Sequence, residues 1–466
     1  MRFGHRILAI TFLVPFCARA ESTLSPQQQL TRDIYEELID INTTHSSGST
    51  TKAATAVAKR LQAAGFPAAD IHQLGPTPTK GGLVARLRSA HPTKKPLLLL
   101  AHLDVVEAKR EDWSVDPFKL LEQDGFFYGR GTLDDKAMAA IFVANLIRMK
   151  RDGVKTDRDI ILALTADEEG GPDDGADWLL KNHRELVDAD LVINEGGGGR
   201  MRNGKYVLNG VQASEKTYTN FMLEVKNKGG HSSLPTKDNC IYRLAAGLGR
   251  LEKFDFPVEI NDVTRTYFER SAPLEGGQTE ADMLAVVHDP PDQEAVKRLS
   301  ETPAYNALLR TTCVATRLDG GHADNALPQT ARANVNCRIL PGHTSEEVQR
   351  TLMQVVADDQ ISITETEPSV AAPASPLDPQ LMQAVEQITR AMWPGVPAVP
   401  TMSSGASDSR YFRNAGIRAY GVSGIFVDMD DVRAHGKDER VGVKQFYEGQ
   451  EFLDRLVRAL STAGET

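Results

Sequence analysis

Residues 96–104 read PLLLLAHLD: four leucines in a row, an alanine, then a histidine and an aspartate. The apolar run is short and has no polar face, which is how a strand covered on both sides reads. Similar runs bounded by polar residues recur at 159–166 (DIILALTA), 190–194 (DLVIN) and 417–422. Between them, 136–150 (KAMAAIFVANLIRMK) and 175–184 carry helical periodicity. Buried strands alternating with helices predict an α/β fold built on a doubly wound, mostly parallel sheet.

The texture changes near residue 212. Alternation marks 218–225, 331–340 and 360–365 as half-exposed strands, while 241–254 and 345–357 read as helices. Two β-α-β halves of this kind predict an α+β (ferredoxin-like) domain with an antiparallel sheet. The expected organisation is a catalytic domain in two parts, 21–212 and 371–466, with an insertion at 213–370. The Pro- and Ala-rich stretch 367–379 serves as the return linker.

Across 466 residues, 53 Lys and Arg stand against 63 Asp and Glu, a net charge of −10. That balance argues against a nucleic-acid partner, which needs clustered basic residues. Residues 1–20 hold Arg2 and Arg6, an apolar run at 7–17 and a small-x-small ending at Ala20. This is the pattern of a cleaved export signal, and its apolar run is about half the length of a membrane span. The expected location is secreted, periplasmic in a Gram-negative source, without membrane attachment. Cleavage near Ala20 would leave Cys240, Cys313 and Cys337, enough for one disulfide and an odd thiol. With so few cysteines, any metal site must use His and carboxylates.

Several short acidic or histidine segments fall where predicted strands end. His102 and Asp104 follow the leucine run, Glu168 and Glu169 follow 159–166, and Glu195 follows 190–194. Asp134 and Asp135 sit in GRGTLDDK just before a predicted helix, and His435 comes late, in RAHGKDER. Ligand sites in open α/β sheets lie beyond the carboxyl ends of the strands, so this conjunction describes a metal site. Spacing alone leaves open which of the two adjacent aspartates is the ligand.

The order HxD, GRGxxDxK, EEG, an acid beside glycine and a late His resembles the di-zinc metallopeptidases. That family includes bacterial glutamate carboxypeptidase, carboxypeptidase S, aminoacylase and succinyl-diaminopimelate desuccinylase. The resemblance implies two Zn²⁺ per subunit, with Co²⁺ or Mn²⁺ able to substitute. It implies that Asp134 bridges them, favoured over Asp135 by the D-x-K pattern, with a cis peptide following. His102 and Glu195 would hold one ion, and Glu169 and His435 the other. Asp104 would accept a hydrogen bond from His102, and Glu168 would be the general base and acid. Three carboxylates and one hydroxide would balance the two divalent charges.

The resemblance extends to the inserted domain. His231, in GGHSSLP, would help hold the oxyanion, reaching across a homodimer formed through that domain. Asn325 in HADNALP and Arg338 in NCRILPG would hold the substrate, and Gly405 in SSGASD would lie near its carboxylate. The implied activity is hydrolysis of small peptides or N-acyl amino acids next to a free carboxylate. A serine hydrolase is disfavoured, since GVSGI at 421–425 fails the G-x-S-x-G pattern at its last position, and no H-E-x-x-H occurs. A di-zinc aminopeptidase and a non-catalytic exported metal- or peptide-binding protein are the alternatives. The glycines at 196–199 fit close backbone approach better than phosphate binding.

Overall fold

The structure, a computed structural model, describes residues 24–171 and 173–462; the expected export signal lies outside them. The central sheet runs Ile71–Leu74, Gly82–Leu87, Ile160–Thr165, Leu97–His102, Leu191–Asn194, Arg418–Gly421, Lys205–Glu215. Gly199–Arg202 and Phe426–Asp428 extend it, and Ala398–Ser403 also pairs with Lys205–Glu215. Leu97–His102 pairs in parallel with Ile160–Thr165 and with Leu191–Asn194, and every residue of these three strands is buried. Apart from their last residues, His102, Thr165 and Asn194, these runs are apolar because helices cover both faces. Antiparallel pairs occur at one edge, where Gly82–Leu87 joins Ile71–Leu74 and Ile160–Thr165, and around Lys205–Glu215.

The helix Lys136–Arg151 is buried almost all round, including its first residue. Lys136 Nζ donates to the carbonyls of Leu38 (2.8 Å) and Ile41 (2.9 Å), which fixes the helix start directly after Asp135. An ammonium is tolerated there because backbone oxygens replace its water.

A second sheet runs Thr312–Gly320, Thr330–Ile339, Thr217–Lys226, Ile361–Glu365, with every neighbouring pair antiparallel. Helices Cys240–Leu251 and Ser345–Val356 cover one face and share a core with Phe221, Leu223, Val335 and Ile363. This is the β-α-β-β-α-β order of a ferredoxin-like unit. Cys313 and Cys337, facing each other on neighbouring strands, form a disulfide, and Cys240 is free and buried.

The interval 213–370 is not one continuous α+β unit. Between Cys240–Leu251 and Thr312–Gly320 the chain forms helices Asp262–Glu275, Gly277–Val286, Gln293–Ser300 and Pro303–Leu309. Their apolar residues, Phe268 and Met283 among them, bury against Leu208 and Val399 of the central sheet. This helical stretch thus covers the catalytic sheet, because that is where its apolar face finds a partner.

Candidate active site

Parallel strands bring their carboxyl ends to one edge, and the sequence places acids and a histidine there. His102 closes its strand opposite Thr165. The Leu103 N–H donates to the Thr165 carbonyl at 2.9 Å, so the two chains leave the sheet together. Asp134 precedes the helix Lys136–Arg151, and the Asp134–Asp135 peptide is cis.

Asp134 stands between two imidazoles. His102 Nε2 lies 3.0 Å from its Oδ1, and His435 Nε2 lies 3.1 Å from its Oδ2. His435 Nε2 is also 3.0 Å from Glu169 Oε2. Donor atoms of His102, Asp134 and Glu169 all fall within 4.8 Å of one another. The Asp135 carboxylate bonds to neither imidazole, and its Oδ2 is buried without a partner.

The field within this cluster is strongly negative. Burial would raise the Asp134 carboxyl, but hydrogen bonds from His102 and His435 outweigh it and hold Asp134 ionised. Those contacts, from Asp134 first and then Glu169, push His435 up to about 10. Burial, reinforced by the charges of Glu168, Asp134 and Asp135 against the opposing pull of His102, drives Glu195 well above the usual range. Glu169 Oε1 is buried and has no hydrogen-bond partner. Converging carboxylates with an unmatched buried oxygen, flanked by two imidazoles, fit a bound divalent cation better than any neutral ligand. Glu195 borders the same cavity as Asp134.

Asp104 meets His102 through its backbone carbonyl. His102 Nδ1 is 3.0 Å from the Asp104 backbone carbonyl and 3.6 Å from its carboxylate. The carbonyl can only accept, so it keeps the proton on Nδ1 and aims Nε2 at Asp134. The carboxylate instead accepts from the backbone N–H groups of Glu168 (3.3 Å) and Glu169 (3.0 Å). It therefore holds the turn that carries both glutamates. That turn is also held from behind, where Lys80 Nζ sits 2.6 Å from Asp167 Oδ1 and Asp167 takes the left-handed φ of 60°.

Arg338 and Gly405 come together. Arg338 Nη1 donates to the Ser404 carbonyl at 2.9 Å, its guanidinium lies 4.6 Å over the Tyr218 ring, and the Gly405 N–H donates to Ser403 Oγ. His231 and Asn325 also meet, in a ribbon pairing Gly230–His231 with Ala326–Leu327, where the Ser232 N–H donates to the Asn325 carbonyl at 3.0 Å. His231 is exposed, and its Nδ1 accepts from the Ser233 N–H at 3.1 Å. Neither His231 nor Asn325 lines the cavity beside the Asp134 cluster.

That cavity has a volume of about 570 Å³. Its lining includes the charged side chains of Asp134, Asp135, Glu195 and Arg200 and the apolar ones of Leu133, Met138, Ile425, Val427 and Met429. The Gly196–Gly199 stretch also lines it; a Cβ on Gly197 would lie 2.0 Å from the Gly421 carbonyl oxygen, so close backbone approach explains that glycine.

Two residues without an assigned role, Arg130 and Glu439, are buried beneath the cluster as an ion pair of 2.6 Å. Their only signal is position, inside GRG and four residues past His435.

Residues 98–459 match the family described as Peptidase family M20/M25/M40. The chain belongs to this family. It is 31% identical over 391 residues to the N-fatty-acyl-amino acid synthase/hydrolase PM20D1 of Homo sapiens, covering 81% of this chain and 77% of that protein. It is 26% identical over 389 residues to the probable carboxypeptidase S-like 2 of Dictyostelium discoideum, covering 81% and 74%. In fold it is similar to the M20 family metallo-carboxypeptidase Sso-CP2 from Sulfolobus solfataricus, with a TM-score of 0.69 and 18% identity over 92% of this chain and 98% of that one. As an M20 family member the chain is a metal-dependent hydrolase of the peptidase and amidohydrolase class.

Proposed function

We propose that the protein is an exported, zinc-dependent amide hydrolase acting on N-acyl amino acids and related peptides with a free carboxylate, and favouring apolar acyl groups. The carrying observation is the convergence of His102, Asp134, Glu169 and His435, with Glu168 beside them. In this reading Asp134 is the shared ligand, His102 and Glu195 serve one ion, and Glu169 and His435 the other. Two bound divalent cations supply Lewis acidity for the scissile carbonyl and make water acidic near neutral pH.

Glu168 accepts a proton from the attacking water and passes it to the departing amine nitrogen. Burial, aided by the charges of Asp134 and Glu169 against those of His102 and Arg410, lifts its carboxyl to about 8, so it takes up a proton readily. Arg338, steadied by Tyr218 and the Ser404 carbonyl, receives the substrate carboxylate beside the loop that carries Gly405. The apolar lining of the neighbouring cavity receives the acyl group, in keeping with the fatty-acyl substrate in the name of the human relative.

His231 and Asn325 serve the partner's site in a homodimer. Support comes from the edge strand Thr312–Gly320, where Val314 and Leu318 are 60% and 71% exposed, and from Tyr242 at 64%. Export accords with the signal pattern at 1–20 and with the Cys313–Cys337 disulfide, a bond that persists in oxidising compartments. Among the described residues no helix is long and apolar enough to cross a membrane.

The test is turnover of N-acetyl, N-lauroyl and N-oleoyl amino acids beside dipeptides, each with its carboxylate free or amidated. The reading expects acyl amino acids to be cleaved and amidation to cost about tenfold or more. Equal turnover of amidated substrates would remove the roles of Arg338 and Gly405. Met429→Trp, which narrows the cavity, should lower kcat/KM for the lauroyl substrate by about tenfold and spare the acetyl one. An equal loss on both would place the acyl group elsewhere.

A further inference from the structure

We infer that the buried Arg130–Glu439 pair is a positioning device that sets the separation of Asp134 and His435 and so governs retention of the cation they share. The inference rests on the reading of those two residues as ligands. Both side chains are almost wholly buried, at 3% and 1% exposure. Burying two charges is costly unless the surrounding bonds compensate for the lost water.

Glu439 is well supplied. Its Oε2 accepts from Arg130 Nη1 (2.6 Å) and from the Gly131 N–H (3.1 Å). Its Oε1 accepts from the N–H groups of Leu133 (2.8 Å) and Asp134 (3.1 Å). One carboxylate thus organises the loop that ends at the shared ligand. Arg130 completes the link from the other side, since Nη2 donates to the carbonyls of Gly436 (3.0 Å) and His435 (3.3 Å). The Trp113 ring lies 4.9 Å from the guanidinium carbon.

Asp134 and His435 are 301 residues apart in the chain. The pair joins their loops through the backbone N–H of one ligand and the backbone carbonyl of the other. His435 has φ 63°, a left-handed conformation that a non-glycine residue keeps only when its surroundings fix it. An apolar pair of equal volume would leave the N–H groups of Gly131, Leu133 and Asp134 without their acceptor and the carbonyls of His435 and Gly436 without their donor. The bonds that would be lost are the ones aimed at the two loops that carry Asp134 and His435.

The experiment uses full-length protein, with bound Zn²⁺ measured across a series of buffered Zn²⁺ concentrations and folding followed by far-UV circular dichroism. Glu439→Gln keeps the shape but must turn an N–H toward a donor. It should weaken retention of the more loosely held ion by about 10- to 100-fold, leave the dichroism unchanged and regain activity at high Zn²⁺. Arg130→Lys keeps a charge for Glu439 but loses the arm reaching His435 and Gly436, and should shift the same ion in the same direction. It supplies the result if Glu439→Gln does not fold.

A variant with lowered thermal stability but wild-type Zn²⁺ binding would overturn the inference, because the pair would then be structural. His435→Ala run in parallel separates the two readings. If it binds Zn²⁺ like the wild type, the ligand assignment fails. If it loses an ion while the pair variants do not, only the positioning role fails.

Discussion

Glu168→Ala is expected to fold, keep its full metal content and lose about 10²- to 10⁴-fold in kcat for N-acyl amino acid hydrolysis, with KM little changed. The geometry explains why the loss should be confined to chemistry. The Glu168 backbone is fixed by the Asp104 carboxylate, and that bond survives truncation of the side chain. The neighbouring Glu169, not Glu168, contacts His435 within the ligand cluster. Truncation thus removes a proton carrier without removing a ligand. Metal analysis and steady-state kinetics on the same preparation check it, and turnover within tenfold of wild type would show that another group moves the proton.

Asp134→Ala should have the larger effect on binding. It deletes the carboxylate that meets His102 on one oxygen and His435 on the other, leaving two imidazoles and fewer charges to hold the cations. Metal content should fall and activity should drop to background even with added Zn²⁺. Asp135→Asn is the control. Burial above all keeps the Asp135 carboxyl above its usual range, and its side chain bonds to neither imidazole, whereas Asp134 meets both. If Asp135→Asn loses metal while Asp134→Ala keeps it, the two roles must be exchanged.

Much of this arrangement is legible in the sequence, for identifiable reasons. Strands such as Leu97–His102 announce themselves because burial on both faces demands an unbroken apolar run. The acids and histidines that follow them stand out by contrast. The strand Thr312–Gly320 is not legible, because its exposed residues carry no apolar alternation. The helices between 262 and 309 are silent for another reason, since periodicity marks an apolar face without saying which sheet it covers.

Side-chain detail is hidden in the same way. Sequence suggests that Asp104 serves His102, but only coordinates separate its carbonyl from its carboxylate. Charged residues such as Arg130 and Glu439 read as solvated surface until their burial is seen. His102, Glu169 and Glu195 lie at or just past strand ends and stand out in the order of the sequence; that Arg130 and Glu439 join the loops of Asp134 and His435, 301 residues apart, shows only in the fold.

The most direct test of metal-dependent amide hydrolysis is a titration. Protein stripped by chelation and dialysis is given Zn²⁺ stepwise while hydrolysis of an N-acyl amino acid is followed. The metal centre described here predicts negligible activity in the stripped protein and a plateau at about two equivalents per chain. Full activity in protein whose metal content has been measured as negligible would contradict it.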